Sequence, residues 1–275
     1  MSKAASKTPV ALTIAGSDPS GGAGLQADLK TFSALGVYGA SVVTALTAQN
    51  TRGVIGAMAV PADFIALQIE AVVTDLHIAA AKTGMLGDTA TVLAVAAEIR
   101  RHKIRPLVVD PVMVATSGDV LLAPDAIDTL RRELIPLADL ITPNLPEAAQ
   151  LLNEPVATDE HVMAAQAQRL MALGCKAVLV KGGHGTGAEA VDILFSGGTS
   201  IRFAAPRIET RNTHGTGCTL SAAITASLAK GMALPGAINA AKAFISAALA
   251  AGASLKIGGG SGPVDHLYAI RRQRD

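Results

Sequence analysis

The sequence has 275 residues, half of them apolar, with five Phe, two Tyr and no Trp, and a net charge of +1. That balance gives no electrostatic case for nucleic acid or for an anionic membrane surface as a partner. Two cysteines, Cys175 and Cys218, make neither a disulfide framework nor a zinc-spaced cluster, which fits a reducing, cytoplasmic compartment. The polar start of the chain does not read as a secretory leader. Lys230, Gly231, Pro235, Asn239 and Lys242 interrupt the Ala-rich stretch over 220–255 before it reaches a membrane span. That stretch reads as two helices joined near 234–236.

Along the chain, short Val- and Ile-rich runs alternate with helical stretches. Residues 10–15 read as a strand, followed by Gly-rich GSDPSGGAG and a helix presenting Leu25, Leu29 and Phe32 on one face. Strand 42–46, helix 61–74 opened by Pro61, strand 78–82 and helix 89–102 come next. Strand 107–110, helix 124–135 and strand 140–142 continue the alternation. A helix follows PNLPE, another covers 159–173, and 177–181 is a strand. Residues 191–195 and 200–204 flank Ser196-Gly197-Gly198-Thr199, a hairpin signal. Strands alternating with helices imply βαβ units and a mainly parallel sheet. The expectation is one α/β domain over 1–275 with mobile tails at about 1–8 and 271–275.

Ligands of open parallel sheets sit beyond the carboxyl ends of the strands, and the chemically suggestive residues fall at those ends. Gly16-Ser17-Asp18 with Gly21, Gly22 and Gly24 leads into a helix bearing Asp28. The spacing matches neither GxGxxG nor a P-loop. A Gly-rich connection with positive φ angles and a loop closing over a ligand are equally good readings. Thr213–Cys218, THGTGC, precedes a helix: Gly215 and Gly217 let backbone N–H groups point at an anion, aided by the helix dipole. Cys218 in the first turn is where a thiol pKa is lowered; a small buried side chain is the plainer reading. Asp110 ends a strand, and Asn144 and Glu147 are three apart at a strand-to-helix turn. Asp110 and Glu147 suit the sparse carboxylate set of Mg²⁺, although Asn144 and Glu147 also fit a helix cap with its third-position acid. Lys181, before Gly182-Gly183, is placed to neutralise phosphate or to sit in solvent.

Taken together, TIAGSDPSGGAGLQADLK, TALTAQNTRGV, KTGMLGD, DPVMVATSGD, LITPNLPEAAQLL, VLVKGGH and NTHGTGCTLSAAI resemble the ribokinase-like superfamily, and within it the hydroxymethylpyrimidine/phosphomethylpyrimidine kinases of thiamin biosynthesis. The resemblance covers nearly the whole chain. It implies a doubly wound α/β/α sandwich that transfers phosphoryl groups from ATP, with Mg²⁺, first to hydroxymethylpyrimidine and then to its monophosphate, in a homo-oligomer that is often a dimer. It implies that the pyrimidine lies against Gly16, Asp28, Gln49, Met85 and Val112, and that Gly215, Thr216, Gly217 and Cys218 form the catalytic anion hole. It further places the metal at Asp110 and Glu147, and ATP phosphates at Lys181, Asn144 and Lys242. Related sugar kinases carry Asp where this chain has Cys218, so the identity of the base stays open. Three rivals remain: a pyridoxine or pyridoxal kinase of the same fold, a thiol hydrolase using Cys218 with His214, and a non-catalytic nucleotide-binding regulator, against which the paired acids and the phosphate lysine argue.

Overall fold

The computed structural model describes residues 8–115, 118–183 and 187–271. Its central sheet has eight strands: β1 (Val10–Ala15), β2 (Tyr38–Val43), β5 (Ile78–Thr83), β6 (Leu107–Val109), β7 (Leu140–Ile141), β8 (Ala177–Lys181), β9 (Glu189–Ser196) and β10 (Thr199–Pro206). They lie in the order β10-β9-β8-β7-β6-β5-β1-β2. Pairing is parallel from β2 through β8; β9 and β10 close one edge as an antiparallel hairpin across Gly197-Gly198. The expected mobile tails fall almost entirely outside the described residues.

The remaining two strands, β3 (Ala45–Asn50) and β4 (Gly53–Ala59), pair with each other and leave the main sheet as a projecting hairpin. This corrects the expected strand over 42–46. Thr44 is the corner: its N–H donates to Ala15 O, its hydroxyl to Met85 O, and its carbonyl accepts from Val60 N–H. The apolar run therefore turns out of the sheet at Thr44 and does not continue along it.

Helices α2 (Ala62–Val73), α3 (Thr89–His102), α4 (Pro124–Thr129), α5 (Leu145–Leu152) and α6 (Glu160–Leu170) bury one face of the sheet, through side chains such as Ile65, Ile69, Val95, Leu151 and Ala167. α1 (Gly24–Ala34), α7 (Thr216–Ala229) and α8 (Leu234–Gly252) bury the other, and a short α9 (Tyr268–Arg271) follows. The helix expected over 124–135 loosens at Leu130 into a π-helical turn and ends in a tight turn at Ile135–Leu137. Pro136 explains the break, since it has no N–H for the carbonyl four residues back. The helix expected over 159–173 likewise tightens at Met171–Leu173 before Gly174. α8 is long and apolar enough to cross a membrane, but Ala237, Ile238, Ala241, Ile245 and Ala248 are buried in the core.

α7 is buried on nearly every side, from Thr219 through Ser227. Its polar residues are tolerated because the Thr225 and Ser227 hydroxyls donate to carbonyls one turn back. Small residues let it approach β1: Ala222 and Ala226 are fully buried in a cluster with Ala11 and Phe32. Ala222→Leu adds volume where none is free and is expected to cost about 1–3 kcal/mol. A denaturation midpoint equal to that of the parent chain would show that the interface has slack.

Candidate functional site at the carboxyl edge of the sheet

Because β1, β5, β6, β7 and β8 are parallel, their carboxyl ends deliver Gly16, Met85, Asp110, Asn144 and Lys181 to one edge. The loop after β1 meets the amino end of α7 there. Gly215, with φ +76, is the residue before that helix, and a Cβ on it would overlap the carbonyl oxygen of Gly22. Only glycine permits this approach. Gly24, with φ +55, is also too tight for a side chain: a Cβ would lie 2.5 Å from Gly16 O.

Asp18 fastens the two loops. Its carboxylate accepts from Ser20 N–H and hydroxyl at 2.9 and 2.7 Å, and from Gly22 and Ala23 N–H at 3.1 and 2.8 Å. Across 196 residues of sequence it also meets His214 Nε2 at 2.7 Å. Burial opposes ionisation, but these hydrogen bonds with the His214 charge outweigh it and hold the Asp18 carboxyl down at about 2. Sequence reasoning left Asp18 without a role, and only its place between Gly16 and the glycines hinted at one.

The second constellation is electrostatic. Asp110, almost fully buried, accepts from Lys181 Nζ at 2.7 Å, Thr142 hydroxyl at 3.0 Å and Ser221 hydroxyl at 3.1 Å. Lys181 is also 3.9 Å from Glu147 and lies against Gly217, where a Cβ would stand 3.3 Å from its ammonium. Lysine, two carboxylates and the amino end of α7 are thus brought together as expected. Burial pushes Glu147 up to about 7, the nearby Asp110 charge adds to this, and Lys181 opposes it. Two buried carboxylates, one reluctant to ionise without a cation, fit Mg²⁺, which takes one or two protein carboxylates and fills the rest of its oxygen shell with water and phosphate.

Several expectations are corrected. Asp28 does not offer its carboxylate to a ligand: fully buried, it accepts from Lys82 Nζ at 2.8 Å and Thr13 hydroxyl at 2.6 Å. Asn144 is a helix cap whose Oδ1 accepts from Glu147 N–H, while Glu147 accepts from Asn144 N–H, the reciprocal box that spacing alone favoured. Lys242 is engaged within the protein: its ammonium donates to Asp192 at 2.6 Å, and Asp192 in turn accepts from Gly182 N–H, so here it braces the turn after β8. Cys218 is not a low-pKa thiol. Burial pushes it up to about 11, and the lowering effect of Lys82 is too small to reverse that. The helix-end argument left out desolvation, which is the largest influence on this thiol. His214 Nε2 is turned to Asp18, and no hydrogen bond joins His214 to Cys218 among the described residues, so the nucleophile–base pair that a thiol hydrolase needs is not formed.

Met85 lies against Gly16, where a Cβ would be 3.0 Å from its sulfur. Val112 lines a small recess with Thr83, Gly84, Leu86 and Asp110. Thr83 is fully buried there, and its hydroxyl has no partner among the described residues, a feature that no sequence signal announced. Gln49 stands across the edge on β3, at the rim of a cavity of about 250 Å³ that also reaches His214, Arg52 and Ser261.

A family model described as phosphomethylpyrimidine kinase matches residues 18–265. A hydroxymethylpyrimidine/phosphomethylpyrimidine kinase of Rhizobium meliloti is 58% identical over 261 residues, covering 95% of this chain and 98% of that protein. A thiamine biosynthesis bifunctional protein of Geobacter sulfurreducens is 50% identical, over 96% of this chain and 53% of its own length. Among solved structures, the ADP complex of Bacillus subtilis pyridoxal kinase superposes with a TM-score of 0.89 at 38% identity, covering 96% of this chain and 99% of that one.

The low pKa of Asp18 carries a pH signature. Its contribution to stability is complete above the ordinary carboxyl value of about 3.9 and is lost as pH falls from there through about 2. Asp18→Asn is therefore expected to be destabilised at pH 6, with the gap to the parent chain narrowing between pH 4 and 2. Urea unfolding across that range checks this, and a gap independent of pH would remove the ionised carboxylate as its cause.

Proposed function

The chain belongs to the phosphomethylpyrimidine kinase family, and from that premise we propose which of its residues carry the reaction. The enzyme phosphorylates hydroxymethylpyrimidine and then the monophosphate, a kinase of thiamin biosynthesis. It draws the phosphoryl group from ATP. The observation that carries the assignment of roles is the meeting of Gly215–Cys218 with Lys181, Asp110 and Glu147 at one edge of the sheet.

Phosphoryl transfer passes through a loose transition state, so positioning and charge stabilisation dominate over covalent chemistry. The backbone N–H groups of Gly215, Thr216, Gly217 and Cys218, at the positive end of α7, receive the transferring phosphoryl oxygens. Lys181 moves its charge from Asp110 towards the nucleotide phosphates. Asp110 and Glu147 would hold Mg²⁺, which supplies charge neutralisation to the phosphates when bound. Behind them, Asn144 fixes Glu147 through the capping box, and Lys242 fixes Gly182 through Asp192. Gly16, Met85 and Val112 give the pyrimidine an apolar seat, Gln49 reads its polar edge, and Asp28 acts from beneath by holding Lys82.

A second reading, activity on pyridoxal, is favoured by the likeness to a pyridoxal kinase over almost the whole chain. Turnover of both substrates in one ATP-consumption assay separates the two. The free thiols of Cys175 and Cys218 fit a reducing, cytoplasmic setting. Exposed Leu46, Ile55 and Met58 on the hairpin, with Phe64 and Leu67 on α2, are the face we assign to a second copy of the chain in a homodimer.

Gln49→Ala removes the amide that reads the ring and is expected to weaken pyrimidine binding by about 1–3 kcal/mol, with ATP affinity unchanged. Equal losses for both ligands would assign Gln49 a structural role. For Cys218, a thiol raised to about 11 is a minor thiolate at neutral pH. If it accepts the hydroxyl proton, kcat rises with pH through 7–9. Cys218→Ala, which keeps the backbone N–H, then loses about a hundredfold in turnover together with that slope. Normal turnover in the Ala variant would leave the backbone and the charged groups as the whole catalytic apparatus.

A further inference from the structure

Within one chain, the hairpin that carries Gln49 has little to hold it. A two-stranded hairpin is marginal by itself, and most side chains of β4 are exposed. Its base is tied to the first loop: Ser17 N–H donates to Ala45 O, Thr47 N–H to Ser17 hydroxyl and Thr47 hydroxyl to Ser17 O. Further along, Val54 N–H donates to Asp119. The tip, Thr51-Arg52, rests on a distant piece of chain, the glycine run at 258–260.

That contact is close enough to specify its residues. Gly260 N–H donates to Thr51 hydroxyl at 3.2 Å. A Cβ on Gly260 would overlap the Thr51 carbonyl, and one on Gly258, which has φ +74, would overlap the Thr51 side chain. On Gly259 a Cβ would lie 2.9 Å from the Arg52 guanidinium.

The same segment is anchored at its other side to the phosphate loop. Asn212 Nδ2 donates to Gly252 O at 2.7 Å and Leu255 O at 2.8 Å. His214 N–H donates to Gly262 O at 3.1 Å, and His214 pairs with Pro263. A Cβ on Gly262 would overlap the Asn212 side chain. The cavity of about 250 Å³ lies between hairpin and segment, with Gln49 on one wall and His214 on the other.

We propose that residues 256–263 are a strap that latches the tip of the β3–β4 hairpin to the phosphate loop, making Thr51 and Gly260 positioning residues for substrate recognition. The proposal rests on the reading of Gln49 as the residue that meets the pyrimidine. The strap fixes how far Gln49 stands from the anion hole, and so where the hydroxymethyl group is presented. Neither Thr51 nor Gly260 touches the reacting atoms.

The test uses the full-length enzyme with two variants. Thr51→Val keeps the shape and removes the hydroxyl that Gly260 meets; Gly260→Ala drives a methyl group into the Thr51 carbonyl. Both are expected to speed hydrogen–deuterium exchange in β3 and β4 relative to β1. In Thr51→Val the pyrimidine KM is expected to rise about two- to tenfold, the effect of one hydrogen bond, with ATP KM unchanged. Gly260→Ala is expected to raise it further, and should that variant not fold, Thr51→Val still decides. Unaltered exchange in the hairpin would overturn the latch, and faster exchange with unchanged KM would overturn its role in positioning. Gln49→Ala run in parallel keeps the two ideas apart. If it alone leaves KM unchanged, the reading of Gln49 falls and exchange judges the latch.

Discussion

At the amino end of α7 the backbone of Gly215 passes so near the Gly22 carbonyl that no side chain fits between them. The site depends on that approach, because it puts the loop after β1 and the phosphate loop in one rigid corner. Asp18 makes the corner permanent by accepting from the first loop's own N–H groups and from His214 of the second. A carboxylate with this many donors is well compensated for leaving water. Movement of either loop would strand a buried charge, a costly outcome. The backbone N–H groups at the amino end of α7, proposed above to meet the phosphoryl group, are thereby held in place by the protein itself.

The charged groups behind this corner are arranged in matched pairs. Lys82 meets Asp28, Lys181 meets Asp110, and Lys242 meets Asp192, and all six residues are buried. Buried ion pairs are poor sources of stability compared with apolar residues of the same volume, and an enzyme with an abundant Ala, Leu and Val core has no structural need for three. Their placement gives the reason. Lys181 bears directly on the turn at Gly217, Lys82 bears on Cys218, and the Lys242–Asp192 pair holds the N–H of Gly182, next to Lys181. The pairs gather buried positive charge behind the amino end of α7, the place proposed above for the phosphates.

The sequence made the parallel sheet legible because each buried strand is a short Val- or Ile-rich run and each following turn carries Gly, Pro or Asn. It made the edge residues legible for the same reason, since Asp110, Asn144 and Lys181 end such runs. The β3–β4 hairpin was hidden: TALTAQNTRGVIGAMAV has no clean alternation, and its strands are exposed on faces that a core would otherwise pattern. Pairings were hidden as well. Asp28 stands 54 residues from Lys82 and Asp18 stands 196 from His214, and no local rule connects them. Cys218 was misread as a low-pKa thiol because a helix position is visible in sequence and desolvation is not.

The hydrogen bond between Thr51 and Gly260 joins residues 209 apart, and the Asp18–His214 contact joins residues 196 apart. Closing loops of that length costs entropy that only later contacts repay, so these links form late in folding, after the sheet between them is in place. The core between β1, β5 and helices α2 and α3 can assemble from earlier, more local contacts, whereas the opposite face of β1 waits for α7 as the ligand edge does. A ribosome releasing this chain would thus produce most of the scaffold first. Binding competence would arrive only when residues 258–260 reach a hairpin tip made some two hundred residues earlier.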